Sequence, residues 1–258
     1  MPHRSSLPCA LLAGALLSLP AHAVLPDEIQ VYDDSINKPG EFGLELHVNA
    51  TPSGRGTPDY PGEFTAVHGL RTTFELSYAW SPQFELGLYL PFDHLAEGSE
   101  RFAGPRARLK WIGQQSGAAS PWFYGLNFEL GSVHPQFELQ QTTLETRPIL
   151  GWRRDGWALT FNPVVSQPLK PGQRSGGPDF NPSLKVARDV GEGLAAGFEY
   201  YAELGQFSHF DPYSQQSHTL FVALDVDRAP LVCNLALGRG LTAAADRWTV
   251  KAIFELPI

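Results

Sequence analysis

Apolar and polar residues alternate one by one along most of this chain. Phe42, Leu44, Leu46 and Val48 take turns with Glu41, Gly43, Glu45 and His47. Leu70, Thr72, Phe74, Leu76, Tyr78 and Trp80 alternate with Arg71, Thr73, Glu75 and Ser77, and Phe84, Leu86, Leu88 and Leu90 with Glu85, Gly87 and Tyr89. The pattern returns near 103–112, 121–130, 143–152, 157–166, 180–189, 193–204, 217–227, 231–239 and 246–257. A period of two is the mark of a strand with two unlike faces. Twelve segments of about ten residues each have the length a tilted strand needs to cross a bilayer. Their connections alternate too. Tight turns such as Ser81-Pro82, Arg153-Arg154-Asp155-Gly156, Val190-Gly191-Glu192 and Asp227-Arg228-Ala229-Pro230 are interleaved with long Gly- and Pro-rich loops at 51–67, 92–102, 132–142, 167–179 and 206–216. The pattern predicts an all-β fold: an antiparallel up-and-down transmembrane β-barrel of about twelve strands, its short turns on the periplasmic side.

Charge shows which face meets lipid. The polar faces carry Glu45, Glu75, Glu85, Glu129, Glu145, Glu199, Glu203, Asp225 and Glu255. They also carry Arg71, Arg106, Arg108, Lys110, Arg147, Lys185, Arg247 and Lys251. The apolar faces carry Arg188, close to a turn. An Arg or Lys facing lipid at the midplane costs roughly 2–4 kcal/mol, so the partition is what a bilayer selects. A one-residue slip of register would turn every charge outward. Trp80, Trp111, Trp122, Trp152 and Trp157 fall at the short-turn ends, on the apolar face. They predict a periplasmic aromatic girdle. A soluble lipid-binding barrel would instead turn these rings inward.

The N-terminus sets the compartment. Arg4, the apolar run Leu7 to Leu19 and the site Ala21-His22-Ala23 read as a secretory signal peptide cut after Ala23. The run is too short for a membrane span and is broken by Pro8, Gly14 and Pro20. Cys9 lacks the spacing of a lipoprotein signal. Residues 1–23 are therefore expected to be removed, 24–39 to form a periplasmic N-terminal segment able to plug the lumen or bind a partner, and 40–258 to form the barrel. Cleavage leaves one cysteine, Cys233, so no internal disulfide holds the mature chain. A formal charge of −8 without a basic stripe gives no sign of nucleic acid. A mean hydropathy of −0.17 fits a barrel, which hides its apolar surface in alternation.

The segments Asp27 to Tyr32, Gly40-Glu41-Phe42-Gly43-Leu44-Glu45-Leu46-His47 and Gly197-Phe198-Glu199-Tyr200-Tyr201-Ala202-Glu203-Leu204-Gly205 resemble proteobacterial outer-membrane barrels. They are loosely similar to the family named for the meta-pathway of phenol degradation. That resemblance spans most of the mature chain. It implies an outer-membrane transporter with no catalytic signature. The last strand is similar to the signal read by the outer-membrane assembly machinery, except that Ile258 stands where an aromatic residue is usual.

Three places are candidates for function. The lumen is the first: Arg106, Arg108 and Lys110 form a basic ladder, and Glu199 and Glu203 flank Tyr201, walls suited to a small zwitterionic, anionic or aromatic solute. The competing reading is a closed, salt-bridged interior that only stabilises. Inward Phe123, Ile149 and Phe221 suggest constrictions; Gly43, Gly87, Gly125, Gly197 and Gly238 suggest open space or close backbone approach. The second is the histidines, His47, His68, His94, His134, His209 and His218, all expected at the long-loop rim or beyond it. With Asp59, Asp93, Asp179 and Asp211 they lack metal-site spacing, so no metal or cofactor is expected. The third is Ser208-His209-Phe210-Asp211, whose adjacency is not the convergence a catalytic triad needs. No Gly-x-Ser-x-Gly occurs. The expectation is a small-solute channel or transporter rather than an enzyme. The alternatives are a structural or surface-binding barrel and, behind it, a hydrolase at the rim.

Overall fold

A computed structural model describes residues 28–170, 177–256 and 258; the expected signal peptide lies outside the described residues. The chain forms β1 (Phe42–Ser53), β2 (Leu70–Ser81), β3 (Phe84–His94), β4 (Glu100–Phe102), β5 (Arg106–Gln114) and β6 (Trp122–Ser132). It continues with β7 (Thr142–Arg154), β8 (Trp157–Asn162), β9 (Val165–Pro168), β10 (Asp179–Phe180), β11 (Ser183–Gly191) and β12 (Leu194–Glu203). The last five are β13 (Gly205–Gln206), β14 (His209–Phe210), β15 (Ser217–Arg228), β16 (Leu231–Gly240) and β17 (Trp248–Leu256). All belong to one antiparallel sheet that closes where β1 meets β17, Leu44 opposite Leu256 and Ala50 opposite Val250. Closure leaves the sheet no free edge. Twelve strands make the wall, with β9 continuing β8; β4, β10, β13 and β14 are short additions at the long-loop end.

Local chemistry explains where the expected segments shift. The seventh wall strand breaks between Asn162 and Val165 because Pro163 has no N–H for the ladder. The strand expected from 103 begins at Arg106. Gly104 has φ 121, and a Cβ there would lie 2.1 Å from the carbonyl oxygen of Ser132. The β7–β8 hairpin turns on Asp155 and Gly156, with φ 54 and 75, the two positive values that a tight hairpin of matching twist requires.

The two faces of the wall are inverted relative to a water-soluble protein. Leu76, Leu88, Leu130, Leu150, Val222 and Leu237 are exposed, while Arg71, Glu75, Arg108, Lys110, Glu129, Arg147, Glu199 and Lys251 are buried. Such a surface is stable only against hydrocarbon. Two arginines interrupt it, one at each end. Arg188 stacks its guanidinium 4.9 Å over Trp157 near the short turns, and Arg239 lies 5.0 Å over Trp248 near the long loops. Arg239 shares the outer face of Leu235 and Leu237, a second charge there beside the expected Arg188. The inward glycines are close-approach positions. A Cβ on Gly238 would lie 2.4 Å from the Phe221 ring, one on Gly87 2.6 Å from Arg108, and one on Gly197 2.0 Å from the Val186 carbonyl oxygen.

Residues 28–39 run inside the cylinder. From the start of β1 they climb from the short-turn end toward the middle, tied to the wall by side chains far away in sequence. Asn37 donates its backbone N–H to Glu85 (2.9 Å) and its amide to Ser77 (2.8 Å). Lys110 donates to the Ser35 carbonyl at 2.6 Å, and Ser116 donates to Asp34 through both its backbone N–H and its hydroxyl, each at 2.7 Å.

Candidate functional site

The lumen falls into a filled half and a hollow half. The filled half lies toward the short turns. Asn162 clamps Tyr32 there, accepting its N–H at 2.8 Å and donating to its carbonyl at 2.9 Å. Asn162 faces inward with Thr160 by the alternation of β8 and is its last residue before the Pro163 break. The Tyr32 hydroxyl donates to Glu28 at 2.6 Å and is hydrogen-bonded to the Tyr89 hydroxyl. Arg108, Lys110 and Arg147 place their charges 4.4–5.5 Å from the centre of the Tyr32 ring. Phe123 and Ile149, expected as constrictions, instead pack with Ile112 and Ile36 around that ring. They dock the segment.

Around this plug the wall charges pair. Arg108 bridges Glu75 (2.8 Å) and Glu85 (2.6 Å), and Arg147 pairs with Glu145 at 2.7 Å. Lys251 pairs with Glu199, Lys185 lies 2.7 Å from Asp225 and 3.4 Å from Glu199, and Tyr201 donates to Glu199 at 2.8 Å. Arg71 is paired with Asp93, and Arg106 lies 3.8 Å from Glu28. Glu129 accepts from Asn127 at 2.7 Å. Glu45, Lys185, Tyr201 and Glu203 share the inward face and are partly buried. Arg247, expected in the lumen, stands exposed at the bend before β17, where its carbonyl accepts hydrogen bonds from Gly240 and Arg239. It precedes the paired stretch, so the pleat that orients Thr249 and Lys251 does not reach it.

The five tryptophans sit on the outer face near the short turns. Trp80, Trp122 and Trp157 are exposed, while Trp111 and Trp152 are half-buried. Trp122 lies directly opposite Trp152 across the β6–β7 pair, and Trp80 stacks on Phe84.

His47 is not at the rim. It is mid-strand on the inner face and fully buried, its Nε2 3.2 Å from Glu75 and 3.4 Å from Glu45. Glu45 stands opposite both Glu75 and Glu255 on its neighbours, so the imidazole separates carboxylates that the ladder forces together. These three side chains place ligand atoms within 4.8 Å of one another, close enough for a metal ion. Arg108 already brings a positive charge to Glu75, at 2.8 Å. The other histidines do lie at the long-loop end: His68, His134 and His209 are exposed, His94 ends β3, and His218 is hydrogen-bonded to Tyr200 on the outer side. Ser208 and His209 are exposed on the β13–β14 hairpin, and the Asp211 carboxylate is turned onto Gly205.

The hollow half lies toward the long loops. It is a cavity of ≈ 180 Å³. Residues 28–30 form its floor, and loop 54–69 arches in from above. That loop was expected to be solvated. Its Arg55 pairs with Asp59 and donates its N–H to Asp246 at 3.0 Å, and its Phe64 packs on Phe137 while donating its N–H to the Gln136 carbonyl at 2.8 Å. Glu63 accepts from the Asp59 N–H. Burial, then the Asp59 carboxylate, pushes the Glu63 carboxyl above the ordinary carboxylate range. Glu203, Tyr201 and Phe221 form part of the side wall.

The barrel fold recurs in a solved structure. The chain is similar in structure to the COG4313 outer membrane channel from Pseudomonas putida F1, with a TM-score of 0.58 and 11% identity over 89% of this chain and 100% of that one. The likeness is one of fold. Looser overlays are with LpxR from Salmonella typhimurium (TM-score 0.42, 11% identity, 84% of this chain and 100% of that one) and Salmonella typhi OmpF in complex with daunomycin (0.40, 8%, 88% and 100%). No protein-family model and no curated protein sequence matches the chain.

Proposed function

We propose that this chain is a bacterial outer-membrane channel for small solutes, with the solute path running through the long-loop cavity and past residues 28–39. In this reading residues 1–23 are a signal peptide, 24–39 an N-terminal segment whose residues 28–39 gate the lumen, and 40–258 the barrel. The tryptophans at the short turns mark the periplasmic interface. The assembly machinery reads the C-terminal strand, and lipid covers the exposed apolar belt. The loose likeness of the quoted motifs to the phenol meta-pathway family supports a small, partly aromatic solute. The observation that carries the proposal is that a solute-sized cavity ends on an N-terminal segment tied to the wall by hydrogen bonds and ion pairs.

One observation favours a second reading. The filled half is so thoroughly paired that a permanently closed, structural barrel would look the same from that end. Planar-bilayer conductance of the mature chain and of a chain starting at residue 40 separates the two. The channel reading expects unitary conductance to rise at least severalfold on truncation. A truncated barrel that folds, with heat-modifiable migration, yet passes no ions would overturn it.

A further inference from the structure

We infer that the long-loop cavity is a binding site for a small organic cation, an ammonium group carried on a single ring or a comparable apolar body. The inference rests on the lumen being the solute path and adds the class of solute.

Charge accounting comes first. The cationic side chains that reach the cavity are Arg55, Arg71 and Arg147, and each already has a carboxylate partner: Asp59, Asp93 and Glu145 respectively. Carboxylates remain in excess. Glu203 on the side wall makes no ion pair and no side-chain hydrogen bond among the described residues. Among the described residues, Asp246 and Glu63 accept backbone N–H groups, from Arg55 and Asp59. On the floor, Glu28 is only 5% exposed; its Oε2 accepts no hydrogen bond among the described residues and has the Arg106 guanidinium 3.8 Å away, with Arg147 3.9 Å from its Oε1. A buried carboxylate oxygen with an empty acceptor position is costly unless something donates to it. The donor that fits Glu203, Glu63 and Asp246 at once is a positive ligand.

The apolar body follows from the rest of the lining. Tyr60, Phe64 and Phe137 come from the loops, and Tyr201 and Phe221 from the wall. Aromatic faces with carboxylates around them are the arrangement that holds ammonium groups, through the ring quadrupole and through direct charge. Size limits the ligand: ≈ 180 Å³ is close to the roughly 150 Å³ of an engineered cavity that takes benzene. An anion of the same size would meet unpaired carboxylates with no free cation to offset them. The basic ladder that suggested an anionic solute is taken up elsewhere: Arg108 by Glu75 and Glu85, Lys110 by the Ser35 carbonyl, and Arg106 by Glu28.

The test is calorimetric titration of the folded mature protein with benzylammonium, benzyl alcohol and benzoate, three probes of one shape and different charge. The expected result is saturable binding of benzylammonium, at least tenfold tighter than the alcohol and tighter still than benzoate. Glu203→Gln is expected to weaken benzylammonium binding at least tenfold, and Glu203→Asp to restore most of it. Benzoate or the alcohol binding as tightly as the cation would overturn the inference, as would no binding of any probe or an unchanged affinity in Glu203→Gln. The three-probe comparison needs no variant and stands even if Glu203→Gln fails to fold. A barrel that conducts but does not prefer the cation loses this inference alone; one that prefers the cation but never conducts loses the channel reading alone.

Discussion

The short-turn half and the long-loop half of the lumen are enclosed by the same twelve wall strands, yet they solve the problem of a polar interior differently. In the first, Arg108, Arg147 and Lys251 meet carboxylates within the wall, and a stretch of the chain's own backbone supplies what remains. In the second, carboxylates outnumber their partners and water-sized space is left between them. A barrel of this size is too wide to be filled by its wall side chains alone and too narrow to stay open by default. What separates conduit from core is therefore where the extra backbone goes, not the wall pattern.

The comparison can be broken most sharply at Lys251. Lys251→Met leaves Glu199, 1% exposed at the side chain, with Lys185 at 3.4 Å as its remaining cation. Stability should fall by roughly 3–5 kcal/mol, the cost of a buried charge whose partner is removed. The urea midpoint of barrel unfolding in lipid vesicles reads it, and an unchanged midpoint would mean that the paired half tolerates loss as readily as the hollow one. Tyr32→Phe is a smaller cut. It removes the hydroxyl shared by Glu28 and Tyr89 and should loosen the plug by about 1–3 kcal/mol. Limited proteolysis of residues 28–39 should speed up about tenfold or more while the barrel itself stays resistant; equal rates would place the hold elsewhere.

The smallest effect sharpens the other half. The Glu63 carboxyl is raised by burial and by Asp59, with Arg55 pulling the other way. A raised carboxyl keeps its proton to higher pH, and a bound cation favours its loss, so benzylammonium affinity should climb as pH rises above the ordinary glutamate value of about 4.3. With one proton released per cation bound, the slope is at most about tenfold per pH unit. Affinity that falls over that range would exclude Glu63 from the site.

Much of the wall was readable because alternation is a local signal. Leu76 next to Glu75, repeated through a strand, fixes a face without any knowledge of its neighbours. The interior was not readable in the same way. Tyr32 meets Asn162 130 positions away, and Lys110 meets Ser35 75 positions away. Nothing in the period of either segment announces the other. His47 reads as a rim residue because it falls late in its expected strand, toward the long loop at 51–67, whereas the ladder that sets Glu45 opposite Glu75 keeps it mid-strand between two carboxylates. Loop 54–69 reads as solvated by composition. Its inward fold depends on Arg55 and Phe64 finding Asp246 and Phe137, which belong to other loops. Pro163 is a visible breaker within the expected seventh strand, and alternation turns Asn162 inward; that Asn162 meets Tyr32 there is a matter of three dimensions.

Arg188 over Trp157 and Arg239 over Trp248 sit at opposite ends of the outer surface. If the barrel slides toward either side of the bilayer, one of the two guanidinium groups is carried toward hydrocarbon, at a cost approaching roughly 2–4 kcal/mol at full depth. The pair acts as a two-sided stop. It holds the cylinder at one immersion depth, and with it the height at which the acidic chamber meets the outside water.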